Sequence, residues 1–360
     1  MIPGPPVGLP DCHVALTVGP SARPRGVLDA TLIVDRVRPA SVEEFGFELA
    51  LCAHLEEATD WVLGRQLGAA VQDPGRRVID VCGVVPGPDF AERARISDRA
   101  IPGRAVESDV GVGRARDPRE AVPGGADATR RLVDRAIEAG FFEAERRGGR
   151  RYVRQAARYP DGWFDRLVGI ENKPDLGSPG DLRRQLRLDV SLSVFDEVVL
   201  ATESYVTGAH RNRIPDAVGI WRFDPETGER AVLREPEPLA VETPGVEPRE
   251  ERPLRTDVAV VDAAAKARAR RRLAERAYGK GWRTYDLPPC AQVAPTADGR
   301  PRCAHFDRVV DPAVACGDDC PGFAPDDLPA VDVDALRDER TPWVADPPGV
   351  RRRQAGLDRF

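Results

Sequence analysis

The stretch RLVGIENK (Arg166–Lys173) sets a carboxylate, Glu171, and an ammonium, Lys173, two residues apart. In an extended strand this spacing projects both from one face, roughly 6.5 Å apart, and Pro174 ends the ladder just beyond them. Lysine is a rare choice here, since only three of the 53 basic residues are lysine. Arginine stays protonated and spreads its charge over a rigid fork. Lysine is a compact charge whose pKa moves readily, which suits it to polarising one water or phosphate oxygen. A solvated ion pair is the plainer reading of the same two residues, and the surrounding elements have to decide between them.

Other residues carry related chemistry. Asp80 stands in RRVIDVCGVV (Arg76–Val85), a β-branched run that predicts a strand over about 77–85 and can lie beside the Glu171 strand. Asp161 and Asp165 precede Glu171 more closely, but Asp165 would lie roughly 20 Å away along one extended segment, so Asp161 is the reserve. Glu48 has Phe45, Leu51, Cys52 and Leu55 at i−3, i+3, i+4 and i+7. Its carboxylate therefore falls in the apolar stripe of a predicted helix over about 42–58, where it needs a partner or a metal. Ser41 and Glu44 read as the capping box of that helix, and Glu56 and Glu57 as its solvated end. Gln185 lies in a helix expected to start at Ser178 and Pro179. Near the C-terminus Cys290, Cys303, Cys316 and Cys320 follow the spacing C-x12-C-x12-C-x3-C, with His305 close by. Four soft ligands among turn residues suit a structural Zn²⁺, with an iron–sulphur cluster as the alternative. His13, His54 and His210 have no spaced partner, and no nucleophile elbow is present.

The elements that would position these groups follow a legible order. Strand, helix and strand over RLVGIENK, SPGDLRRQLRLDVSLSVF and EVVLATES form a βαβ unit, which favours parallel pairing, and IPDAVGIWRFD adds a further strand. Between the Asp80 and Glu171 strands, a helix capped near Asp127 precedes an arginine-rich hairpin turning at Gly148 and Gly149. Residues 224–256 are rich in Pro and Glu and read as linker, and the basic helix after them, ending at Gly279, carries a stripe of Arg268, Arg270, Arg271, Arg272 and Arg276 that could hold phosphates but reads more simply as a solvated face.

This order of helix with Glu48, strand with Asp80, strand with Glu171-x-Lys173 and helix with Gln185 resembles the PD-(D/E)xK, or restriction-endonuclease-like, nuclease superfamily over roughly residues 41–223. The local wording GIENKPDL, FDEVVLATES and IPDAVGIWRF is similar to its later strands. The whole chain also resembles an uncharacterised domain family of haloarchaea. The superfamily resemblance implies an α/β (α+β) fold in which helices flank a mixed sheet, here with a winged-helix-like insertion and a C-terminal cysteine-rich segment. It implies that Asp80 and Glu171 bind Mg²⁺, that Lys173 activates the attacking water, and that Glu48 and Gln185 assist. The large insertion departs from the superfamily pattern and weakens the assignment of Asp80.

Composition limits the partners. A net charge of −6 gives no global attraction to nucleic acid or anionic lipid, so DNA must be met by a local patch. No apolar run is long enough to span a bilayer, and the N-terminus lacks the features of an export signal, so a cytoplasmic protein is expected. The expected organisation is an extension (1–30), a nuclease-like core (31–230) with its helix–hairpin insertion at about 123–157, a linker (231–256), a basic helix (257–285), a metal-binding segment (286–325) and a tail (326–360). The function expected is hydrolysis of phosphodiester bonds in DNA. A non-catalytic nucleic-acid-binding protein is the alternative, and an acidic scaffold a third. Oligomeric state has no signature in the sequence.

Overall fold

The computed structural model describes residues 40–72, 75–252 and 254–350. The expected extension with Cys12 and His13 lies outside them, as do residues 351–360. The described part begins with helix α1 (Ala40–Ala58), followed by strands β1 (Val62–Gly68) and β2 (Val78–Pro86), which pair antiparallel. β1 escaped the sequence reading because Gly64, Arg65 and Gln66 interrupt its apolar run.

The insertion comes next. Short helices α2 (Phe90–Ala94), α3 (Gly103–Val106) and α4 (Pro118–Ala121) lead into α5 (Ala126–Glu138) and the hairpin of β3 (Phe142–Arg147) and β4 (Arg150–Gln155). Gly125, rather than Asp127, is the N-cap of α5. Arg116 forms an antiparallel bridge to Val153, with both N–H···O distances 2.9 Å, which ties the segment before α4 to the hairpin. Gly148 and Gly149 close the turn at φ +54° and +80°, a backbone that two consecutive L side chains would adopt only under strain.

The chain then returns to the sheet with β5 (Phe164–Asn172), antiparallel to β2, and crosses through α6 (Leu182–Leu192) to β6 (Glu197–Thr202), parallel to β5. Helix α6 starts after Asp181 instead of at Ser178, because Pro179 accepts the N–H of Leu182 in a turn ahead of it. Past α7 (Gly208–Arg211), β7 (Gly219–Phe223) runs parallel to β6 and β8 (Arg230–Arg234) antiparallel to β7. The result is a mixed sheet of order β1-β2-β5-β6-β7-β8.

Two apolar layers sandwich it. On one face α1 contributes Phe47, Leu51 and Leu55 to a cluster with Leu63, Val81, Ile170 and Val199. On the other, Leu186 and Leu192 of α6 join Val84, Leu167 and Leu200 together with the insertion's Phe90 and Trp163.

Several expectations for the C-terminal third are corrected. The presumed linker holds β8 and the hairpin of β9 (Gly245–Arg252) and β10 (Arg255–Val261), since ladder pairing is a backbone property that Pro and Glu thin without forbidding. Helix α8 (Ala263–Lys280) runs one residue past Gly279 and stops at Gly281. It is not a solvated stripe: Leu273, Ala277 and Tyr278 enter the second apolar layer. Arg270 is buried, bonded to the Val194 carbonyl and Asp196, and Glu275 is buried against Arg93 and Tyr159, while Arg268, Arg272 and Arg276 stay exposed. The cysteine segment forms a small sheet of β11 (Val293–Pro295), β12 (Pro301–Cys303) and β13 (Arg308–Val309), followed by α9 (Pro312–Ala315). The expected tail contains α10 (Val333–Arg340), whose Arg337 is buried against the Ala277 and Tyr278 carbonyls, and Trp343 packs against Tyr278. Among the described residues no helix is long and apolar enough to cross a membrane.

Candidate functional site

The ends of β2 and β5 hold the acidic residues singled out by sequence. Val81 pairs with Ile170, so Asp80 and Glu171 stand one step further along the same ladder. The Asn172 backbone N–H donates to Asp80 Oδ2 at 2.8 Å. Helix α1 brings Glu48 to the same edge, where Gln66 Nε2 donates to Glu48 Oε2 at 3.0 Å and to Asp80 Oδ1 at 3.3 Å. Arg65 bonds the other oxygen of Glu48. One turn earlier on α1, Glu44 accepts from Lys173 Nζ, so Glu44 is an ion-pair partner rather than a capping residue. Side-chain detail at Ser41 lies outside the described residues.

Glu171 is buried and takes a bond from Arg77 Nη2 at 2.7 Å. The same guanidinium grips Asp189 of α6 through Nε (2.9 Å) and Nη2 (2.6 Å). Gln185, expected to steady the site, stands one helical turn before Asp189, and it is Asp189 that reaches Arg77. The reserve residue Asp161 is removed from the site: it is exposed and faces Arg271 at 3.7 Å, because it precedes β5 at the opposite end of the strand.

These placements shift the proton affinities. Burial, reinforced by the charge of Glu48, pushes the Asp80 carboxyl up to about 6 against the bonds from Asn172 and Gln66. Burial and the charge of Asp80 push Glu171 up to about 8, with Arg77 opposing. Burial also raises Asp189. Four carboxylates (Glu48, Asp80, Glu171 and Asp189) thus share two guanidiniums, Arg65 and Arg77. When all are ionised the cluster carries an excess of negative charge that added cationic charge would relieve.

The family described as DUF5787, a family of unknown function, matches residues 62–325, well over half of the chain. The chain belongs to the DUF5787 family. No curated protein and no solved structure matches it. The span shared with DUF5787 takes in Asp80, Glu171, Lys173 and all four C-terminal cysteines, and begins after Glu44 and Glu48.

Within this DUF5787 chain the sequence reading missed Arg65, Gln66, Arg77 and Asp189. Asp189 had a findable signal, since it lies among Leu182, Leu186 and Leu192 on α6 just as Glu48 lies in the stripe of α1. Gln66 had none: its reach depends on a left-handed backbone (φ +52°) inside β1. Glu56, expected in solvent, is buried between Trp282 Nε1 and both terminal nitrogens of Arg283.

The cysteine module has its own small core of Cys290, Val293, Cys303 and Val310. Burial and the nearness of Cys303, Cys320 and Cys290 raise the Cys316 thiol, so the four sulphurs share one neighbourhood. His305 packs its ring against Phe306 (4.8 Å). Cys52 and Cys82, the candidates for the one N-terminal ligand that an iron–sulphur cluster would take, are buried in the apolar layers on the two faces of the main sheet. Among the described residues, no group of three or more His, Cys, Asp or Glu side chains is arranged to hold a metal ion.

Proposed function

We propose that this protein is a Mg²⁺-dependent nuclease with a restriction-endonuclease-like core, hydrolysing phosphodiester bonds in DNA. The observation that carries the reading is the pair Asp80 and Glu171 on adjacent strands, both with raised proton affinity, with Lys173 two residues beyond Glu171. The connectivity supports it: a helix, an antiparallel run of β1, β2 and β5, then a helical crossover to the parallel strand β6. Helix α3, the Arg116 bridge, helices α4 and α5 and the hairpin likewise run in the order of a winged-helix module.

Asp80 and Glu171 are the residues proposed to hold the ion. Mg²⁺ takes one or two protein carboxylates and completes its shell with water and phosphate oxygens, so Asp80 and Glu171 suffice as direct holders. Bound there, it would polarise the scissile phosphate and acidify a water. Glu48 holds Asp80 in place through Gln66. Lys173, half-buried beside Glu44, supplies a mobile positive charge for the developing phosphate charge. Arg77 keeps its two-pronged hold on Asp189 and is the group that must yield Glu171 to the ion.

In the cysteine module, Cys290, Cys303, Cys316 and Cys320 are the proposed holders of a structural Zn²⁺, their shared neighbourhood supporting the reading. His305 is the reserve ligand.

A second reading has its own observation: Glu171 and Lys173 already have ionic partners in Arg77 and Glu44, as in a binding protein without catalysis. Cleavage of labelled single- and double-stranded DNA in high salt with Mg²⁺ or Mn²⁺ separates the two. Cleavage by the wild type, lost in Glu171→Gln and Lys173→Ala, is expected. DNA retention without cleavage by the wild type would move the assignment to a binding protein.

A further inference from the structure

The insertion is positive within an acidic chain. Residues 103–158 contain thirteen arginines and nine acidic residues, a net +4 within a chain of −6. Four of those arginines oppose one another across the hairpin, where Arg147 pairs with Arg150 and Arg146 with Arg151 in consecutive rungs. All four are exposed. Like charges directly opposite destabilise an antiparallel ladder, so two such rungs in succession are a cost to the folded hairpin. Relief is partial. Arg151 meets Asp134 at 2.6 Å, and Arg147 meets Glu145 and the Tyr152 ring. Arg146 and Arg150 have no acidic partner among the described residues.

Successive residues of a strand point to opposite faces, so the two rungs put positive charge on both faces of the ribbon. A surface resting on one row of phosphates needs charge on one face only. Charge on both faces fits an anionic wall on each side. Beside the ribbon, a groove of about 360 Å³ at the first turn of α5 is lined by Arg119, Arg130, Arg150 and Arg151 with one carboxylate, Asp117, and Arg130 is paired with Asp127. Thr129, 4% exposed, lines it too, and its Oγ1 has no hydrogen-bond partner in the structure.

We propose that this hairpin and groove form a duplex-DNA-binding surface in which the arginine tip enters a groove of the double helix between its two phosphate rows. The B-DNA major groove, about 12 Å wide, admits a two-stranded ribbon. The inference rests on the reading of DNA as the substrate, and it is independent of catalysis.

The test is a binding titration of the full chain with a labelled duplex over a salt series, in chelator so that nothing is cut. The Arg146→Ala/Arg150→Ala double variant is expected to bind more weakly, with the slope of log K against log salt reduced in magnitude by about 2. Its melting temperature should be no lower than wild type, because repulsion has been removed. Arg222→Ala, at an exposed position on β7, controls for loss of charge alone and should keep the wild-type slope. An unchanged slope in the double variant, or no duplex binding by the wild type, overturns the proposal. Parallel cleavage assays with Mg²⁺ keep the two readings apart. Cleavage with an unchanged slope removes the docking surface and leaves the nuclease. A reduced slope with no cleavage by the wild type does the reverse.

Discussion

Asp80 accepts the backbone N–H of Asn172, the residue between Glu171 and Lys173, at 2.8 Å. The β2 carboxylate is therefore tied to the peptide that carries the other two groups, and its position follows the ladder rather than a flexible side chain. A one-residue slip of β2 against β5 would send Asp80 to the opposite face. The apolar layers on both faces of the sheet oppose that slip.

The two raised carboxyls make stability depend on pH in a defined direction. Asp80 (about 6) and Glu171 (about 8) hold protons in the folded chain that the unfolded chain has released by about pH 5. Their contribution is complete below the unfolded values and is lost as pH rises through about 6 and then about 8. Thermal melts in chelator should fall by several degrees across this window, Mg²⁺ should restore more at the alkaline end, and Glu171→Gln should flatten the profile. A wild-type profile in that variant would locate the titration elsewhere.

Arg77 and Asp189 are almost fully buried and doubly bonded. Asp189→Ala leaves a buried guanidinium with Glu171 as its remaining carboxylate, and should cost about 3–5 kcal/mol in urea unfolding. Replacing both together, Arg77→Met with Asp189→Leu, should recover much of that loss. A double variant as unstable as the single one would show that the pair is not the source.

Lys173 and Glu44 are both partly exposed, with side-chain accessibilities of 21% and 40%. Breaking such a pair costs about 1 kcal/mol or less. Lys173→Ala should therefore melt close to wild type while DNA cleavage falls by about 10²-fold or more. Lys173→Arg should rescue poorly, because the fork cannot act as a point charge. Full activity in either variant would remove Lys173 from the chemistry.

Metal analysis of the purified chain should find one zinc per molecule, reduced in Cys290→Ser and Cys303→Ser, the two buried positions of the module. Chelation should loosen the β11–β13 sheet before the main one, read as early amide exchange there. Iron with visible absorbance in place of zinc would favour the cluster alternative.

What the sequence disclosed and what it hid follow from the range of the interactions. Glu48 was legible because the stripe in which it lies is built from residues within two helical turns, and β5, α6 and β6 because each carries its own local pattern. Glu56 was not, because its partners Trp282 and Arg283 are more than 220 residues away. Helix α8 was misjudged for the same reason: its buried charges are satisfied by Arg93, Asp196 and Tyr159, which no spacing within the helix announces. Gln66 depended on a backbone conformation that glutamine does not advertise.

The insertion leaves and rejoins the sheet at a single doorway. Gly87 N–H donates to the Trp163 carbonyl at 2.9 Å and Asp89 N–H to that of Gly162 at 3.2 Å, and a Cβ on Gly87 would come within 2.3 Å of the Gly162 oxygen. The sheet thus meets residues 88–162 as it would meet a tight turn. Loop-closure entropy rises only with the logarithm of length, about 0.6 kcal/mol for each doubling, so the length of the insertion by itself adds little to the cost of closing this doorway. The spacing of Asp80 and Glu171 behind this doorway is set by the β2–β5 ladder, not by the length of chain between them.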